Sequence, residues 1–241
     1  MTRVLLILPA KDEERNLGPL IQRIDSVRSI HQLDLDVVVV DDGSSDGTAA
    51  RACEIAALYP YVRLLRHEQN RGLGATLRTG MAFALANGYS LVACMDADLS
   101  QDPEDLPRLC RRLEEGADLV VGSRFVAFGA MEGVPAWRAL ISRAGNGVAR
   151  RLLGIPIRDM TSGYRAFRAA SLAHLDLHEP GYGIQLEAVV KAHVAGQVLA
   201  EEPIMLRLRQ HGNSKLLYNA AFWRRYVELF LRAWGWTRRG R

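Results

Sequence analysis

Apolar and polar positions along the chain come in blocks. Residues 4–8, 37–40 and 91–95 are short continuous apolar runs, the pattern of strands covered on both faces, and residues 62–65 read as a further strand. Between them, Leu17, Leu20, Ile21, Ile24 and Val27 recur at helical spacing with Asn16 as a candidate cap, and residues 49–58 and about 73–87 read as two further helices. Past Pro103 follow a helix carrying Leu106, Leu109 and Leu113, a strand at 117–121, and a helix at 137–153 that includes Gly145 and Gly147. A polar loop from Asp159 then enters a short segment near Phe167, ahead of a helix at 184–195 and a strand at 198–208. This alternation predicts an α/β fold, a mostly parallel central sheet with helices on both faces. Right-handed crossovers would bring the ends of the first, second and fourth strands to one rim.

Two of those strand ends are acidic: the four-valine run ends in Asp41-Asp42-Gly43, and the run at 91–95 ends in Asp96-Ala97-Asp98. Open α/β sheets bind ligands at the carboxyl ends of their strands. Two carboxylates one residue apart suit Mg²⁺, which takes its remaining ligands from water and substrate phosphates. Asp102-Pro103 supplies a cap and a first-turn proline for the next helix, so both acids fall in a strand-to-helix connection. Asp96 also fits the aspartyl nucleophile of a phosphotransferase, an alternative that the motif alone leaves open. Gly72-Leu73-Gly74 lacks the third glycine of a dinucleotide fingerprint and does not directly follow a strand.

The charge is +4, and Arg224, Arg225, Arg232, Arg238, Arg239 and Arg241 crowd the end of the chain, which points to an anionic ligand or surface and not to nucleic acid. Cys53, Cys94 and Cys110 have no metal-ligand spacing and read as buried free thiols of a reducing compartment. No apolar run reaches the length of a membrane span or a signal peptide, so a cytoplasmic location is expected. A helix after Leu217 carries Phe222, Tyr226, Leu229, Phe230, Ala233 and Trp234 on one side and arginines on the other. It suits either a position in the headgroup region on the cytoplasmic face of a membrane or packing on protein.

A set of motifs in fixed order resembles the family 2 glycosyltransferases, and within them the dolichyl-phosphate mannosyltransferase and polyprenyl-phosphate sugar transferase branch. It comprises residues 9–13, 40–48, 70–72, 95–98, 122–124 and 162–165, Gly181-Tyr182 with Gln185 and Glu187, and Arg209 with Ser214-Lys215. The resemblance implies a GT-A fold over residues 1–216 followed by a C-terminal amphipathic helix and tail over 217–241. It implies a nucleotide-sugar donor, Mg²⁺ or Mn²⁺, and a polyprenyl-phosphate acceptor. By matching position, Pro9, Lys11, Glu13 and Asp42 would line the base and ribose pocket, and Asp96, Ala97 and Asp98 would meet the metal and diphosphate. Arg124, Arg209 and Lys215 would contact donor and acceptor phosphates, with Ser162 a further acceptor candidate, and Asp96, Asp98 and Arg124 would form the catalytic set. Lys11 replaces the aromatic residue usual in its loop, and Ser100 stands where some relatives place a metal-binding glutamine. The expected reaction is inverting transfer of a hexose, mannose from GDP-mannose, to dolichyl or undecaprenyl phosphate. A UDP-sugar donor is the alternative, and oligomeric state is not legible.

Overall fold

The computed structural model describes residues 2–212 and 220–239. Its strands are β1 (Val4–Ala10), β2 (Leu35–Asp41), β3 (Val62–Arg66), β4 (Leu91–Cys94), β5 (Leu119–Ser123), β6 (Ala130–Met131), β7 (Arg165–Arg168), β8 (Leu199–Pro203) and β9 (Met205–Leu206). Seven form one sheet in the order β3-β2-β1-β4-β7-β5-β8, and β6 pairs with β9 apart from it. The helices are α1 (Glu14–Ile30), α2 (Thr48–Leu58), α3 (Leu73–Ala86), α4 (Leu106–Glu114), α5 (Ala136–Leu153), α6 (Ala169–Leu172), α7 (Ile184–Val194) and α8 (Ala220–Arg239).

Successive strand residues point to opposite faces, and the core divides accordingly. Leu5, Ile7, Val38, Val40, Val92 and Cys94 pack with residues of α3, α5, α7 and α8. Leu6, Leu8, Val37, Val39, Leu91 and Ala93 pack against α1, α2 and α4. Each fully buried aliphatic side chain contributes about 1.5–3 kcal/mol, which is why unbroken valine and leucine runs select this two-sided position.

The pairing sets the rim. β1 is parallel to both β2 and β4, with Ala10 opposite Asp41 and Ile7 opposite Cys94. β7 is antiparallel to β4 and to β5, so β5 again runs parallel to β4. The segments after β1, β2, β4 and β5 therefore emerge on the same edge, bringing Lys11, Asp42, Asp96 and Arg124 to it.

Four local expectations are corrected. Cys53, expected to be buried, is exposed on α2, whose buried side carries Ala52 and Ile55. Residues 165–167, expected to close the polar loop, belong to β7, a strand through the middle of the sheet. Its Arg165 is fully buried, donating to the carbonyls of Met160, Ser162 and Gln185, and burial lowers it to about 10. The expected strand at 198–208 divides after Pro203 into β8 and β9, because β9 turns away to pair with β6. Glu13, not Asn16, occupies the cap position of α1, and Asn16 lies within the helix, donating its amide to the Glu13 carboxylate. Asp102 does cap the turn that begins at Pro103, accepting from the Glu104 amide.

Candidate active site

A cleft of about 650 Å³ opens along the rim. Pro9, Lys11, Glu13, Asp42, Asp96, Ala97, Asp98, Arg124 and Arg209 all line it, so nine residues expected from five separated motifs meet on one surface. Lys215 lies outside the described residues. Ser162 is buried and does not line the cleft; its carbonyl is turned to the Arg165 guanidinium, and the neighbouring Thr161 takes the lining position.

Asp96 and Asp98 stand where β4 gives way to the connection, with Leu99 at φ 63 turning the chain immediately after. Gln101 braces Asp96 from both sides: its amide donates to Asp96 Oδ2 at 2.9 Å and its carbonyl accepts from the Asp96 N–H at 3.0 Å. A Cβ on Gly163 would sit 3.0 Å from both Asp96 carboxylate oxygens, so a larger residue there would press the carboxylate out of its present position. Burial first, then the charges of Asp98 and Glu13, raises Asp96 to about 7. Asp98 is less enclosed, with Oδ1 accepting from the Ser100 N–H at 3.1 Å.

This donor set fits a divalent cation. It supplies two hard carboxylates on an open cleft, with Asp96 Oδ2 held by Gln101, and a crowding of negative charge that an ion would relieve. Sequence reasoning missed Gln101; the signal was a glutamine one position beyond the serine at 100.

Arg209 reaches this acidic end from the segment after β9. Its Nη2 donates to Glu13 Oε1, and its Nε lies 4.0 Å from Asp98 Oδ2. The segment is laid along the acidic connection by backbone bonds from Arg207 N to Ser100 O at 2.8 Å and Gln210 N to Asp98 O at 3.4 Å. Burial raises Glu13 despite the opposing bonds from Arg209 and Asn16.

Arg124 is forked onto Asp159, with Nε to Oδ2 and Nη2 to Oδ1 both at 2.6 Å, and also donates to Thr161 at 3.1 Å. The ion-pair arrangement and the cleft position therefore coexist. Lys11 donates to the Gly43 carbonyl at 2.5 Å, tying the β1 and β2 loops together. Asp42 accepts from the N–H groups of Arg71 and Gly72 at 2.8 Å each. Tyr182, named in the sequence only as part of a motif, lines the cleft, and burial together with the charge of Asp96 raises its hydroxyl to about 12.

The far wall is apolar: Trp223, Tyr226 and Phe230 of α8 line the cleft with Val134, Pro135 and Ile141. α8 is anchored to the domain by Leu229 and Ala233, both fully buried. Among the described residues no helix is long and apolar enough to cross a membrane.

A sheet edge that gathers acids and arginines from separated loops can hold a diphosphate together with a divalent ion. The chain belongs to glycosyl transferase family 2, matching that family over residues 6–176. It is 38% identical to the polyprenol monophosphomannose synthase of Mycolicibacterium smegmatis over 219 residues, 89% of this chain and 81% of that protein. It is 39% identical to the undecaprenyl-phosphate mannosyltransferase of Micrococcus luteus over 218 residues, 89% of this chain and 87% of that one. In fold it is similar to glucosyl-3-phosphoglycerate synthase from Mycobacterium tuberculosis, solved with Mn²⁺, UDP-glucose and phosphoglyceric acid, at a TM-score of 0.73 and 24% identity over 97% of this chain and 80% of that one.

Proposed function

We propose that the chain transfers mannose from GDP-mannose to a polyprenyl phosphate such as dolichyl or undecaprenyl phosphate, inverting the anomeric carbon, with Mg²⁺ or Mn²⁺ held by Asp96 and Asp98. The observation that carries this reading is the composition of a single cleft, which brings Glu13, Asp96, Asp98, Arg124 and Arg209 together with Trp223, Tyr226 and Phe230 of α8. Such a mixture suits an acceptor with an anionic head and an isoprenoid tail. The names of the two mannosyltransferase relatives support the sugar and the acceptor.

The chemistry asks little of a general base. A phosphate monoester has a second pKa of about 6, so the acceptor oxygen is largely ionised at neutral pH. That oxygen attacks the anomeric carbon as the bond to the diphosphate oxygen breaks and the nucleoside diphosphate leaves. The bound ion would act as a Lewis acid on the departing diphosphate. Arg209 would hold the phosphates of donor and acceptor together, with Lys215 a further candidate from the sequence. Arg124, oriented by Asp159, would face the acceptor head. Asp42, with Pro9, Lys11 and Glu13, would receive the nucleoside.

Membrane delivery of the acceptor is part of the same reading. α5 exposes Trp137, Leu140, Ile141, Val148 and Leu152 at helical spacing, and α8 exposes Trp223, Val227, Leu231 and Trp234. α5 contains no acidic residue and α8 contains only Glu228, while arginines flank both stripes. That combination supports peripheral attachment to an anionic membrane face.

The test is a thermal-shift panel of GDP-mannose, UDP-glucose, UDP-GlcNAc and NAD, each with and without Mn²⁺, since stabilisation scales with occupancy. GDP-mannose should stabilise most, and more with the ion. A response to UDP-sugars alone would replace the donor, and a response to NAD alone would remove the reading. Asp98→Ala should lose metal-dependent turnover yet remain folded, because among the described residues its carboxylate makes only the Ser100 bond and the long contact to Arg209.

A further inference from the structure

His67 lies in the turn after β3, 6% exposed, and no motif of the family reading includes it. Its backbone N–H donates to the Asp41 carbonyl at 2.8 Å, which fixes the residue against the end of β2. Its ring spans two side chains: Nδ1 is 2.8 Å from Asp42 Oδ1, and Nε2 is 3.0 Å from Thr79 Oγ1 on α3. An ionised carboxylate only accepts, so Nδ1 carries the proton. In the neutral ring Nε2 is then the acceptor and the Thr79 hydroxyl its donor, which orients the imidazole from behind.

Asp42 has most of its acceptor positions filled. Oδ1 receives His67 and the Arg71 N–H, and Oδ2 receives the Gly72 N–H. A carboxylate has about four lone-pair sites, so one remains, on Oδ2, for a ligand in the cleft that Asp42 lines. Gly72 adopts φ 88, and a Cβ there would meet the Pro180 carbonyl at 2.6 Å, so the loop that supplies two of the three donors is held closely in place.

We propose that His67 is a positioning residue for the donor nucleoside: through Asp42 it fixes one open acceptor site that takes a single N–H or O–H of the base or ribose. This rests on the nucleotide-sugar reading above. The site selects for a donor group at that point and leaves the acceptor phosphate untouched, since His67 and Thr79 stand behind Asp42 and neither lines the cleft.

The experiment is calorimetric titration of GDP and UDP, in the presence of Mn²⁺, into the full chain and the variants His67→Leu, His67→Gln and Thr79→Val, with KM for donor and acceptor measured beside it. His67→Leu should weaken the preferred nucleoside diphosphate about tenfold, in line with a lost charge-assisted hydrogen bond, and raise the donor KM in proportion. The acceptor KM should stay within about twofold. His67→Gln retains an N–H donor and should recover most of the affinity, and Thr79→Val should lose about threefold, keeping the test available if His67→Leu does not fold. Unchanged binding in His67→Leu and Thr79→Val, equal loss for donor and acceptor, or a glutamine variant no better than leucine would overturn the assignment. A wild-type chain that binds neither diphosphate would instead remove the nucleotide-sugar reading itself.

Discussion

The Arg209 guanidinium is shared between Glu13 and Asp98, bonded to the first and 4.0 Å from the second. With Arg124, whose charge also acts on Asp96, it brings positive charge to a part of the cleft where three carboxylates converge. Arg209→Ala should lower kcat/KM about 10²-fold or more, the scale for removing one group that stabilises developing charge. Mn²⁺ affinity should not fall, because a competing cation has been removed. Steady-state kinetics and an Mn²⁺ titration read the two effects separately. Turnover within threefold of wild type would leave Arg209 as a structural counter-ion only.

Arg124 and Asp159 form one unit, and the prediction concerns their coupling. Asp159→Asn removes one of the two charged acceptors of the fork, and Arg124→Lys removes the fork itself. Each should cut kcat/KM by about tenfold, and the double variant should be little worse than either, since both break the same element. Full additivity in the double-variant cycle would mean that Arg124 and Asp159 serve the reaction independently.

Several buried acids hold protons in the folded chain that the unfolded chain releases. Burial, then Asp98 and Glu13, brings Asp96 to about 7; burial, with Asp102 and Glu104 adding to it against Arg108 and Arg207, brings Asp105 to about 6. Between the ordinary carboxylate value and those values the native state binds more protons, so stability falls as pH rises through the window. In EDTA, Tm should therefore be higher at about pH 5 than at about pH 8, and Asp96→Asn should flatten the upper part of that slope. Saturating Mn²⁺, which favours the ionised carboxylate, should flatten it as well. Asp102 works in the opposite sense at lower pH: against burial, the Glu104 N–H, Arg23 and Arg207 depress it, and its contribution is lost on acidification. A Tm in EDTA that rises from pH 5 to pH 8 would contradict the assignment of Asp96.

What could be read from sequence tracks what hydrophobic burial dictates. β1, β2 and β4 are covered on both faces, so their apolar runs announced them, and parallel pairing then delivered Asp42, Asp96 and Asp98 to one rim. β7 was opaque because it is four residues long with arginine at both ends, and Arg165 is buried by carbonyl partners distant in sequence. The position of Ser162 off the cleft lining follows from the same buried guanidinium. His67 carried no signal, since its partners Asp42 and Thr79 lie 25 and 12 residues away. The helical period of α8 put Leu229, Phe230 and Ala233 on its packed side, but Trp234, read on the same side, is exposed, and only packing divides that side into the buried Leu229 and Ala233 and the cleft-lining Tyr226 and Phe230.

The exposed stripes of α5 and α8 make a prediction that separates the membrane from the chemistry. Leu140 is 68% and Leu231 58% exposed, and neither lines the cleft. Leu140→Glu with Leu231→Glu places two charges where acyl chains would be met, at little cost to the fold, because exposed positions tolerate polar replacement. Sedimentation with anionic liposomes should fall several-fold, and turnover on a long-chain acceptor embedded in those liposomes should fall with it. Turnover on a short-chain acceptor in detergent-free buffer should be retained, since the cleft is unaltered. Raising the salt concentration should weaken liposome binding of the unmodified chain, because the arginines beside both stripes act through screened charge. Equal liposome binding by the double variant and the unmodified chain would show that these faces do not meet lipid, and loss of turnover on both acceptors alike would place the damage in the cleft.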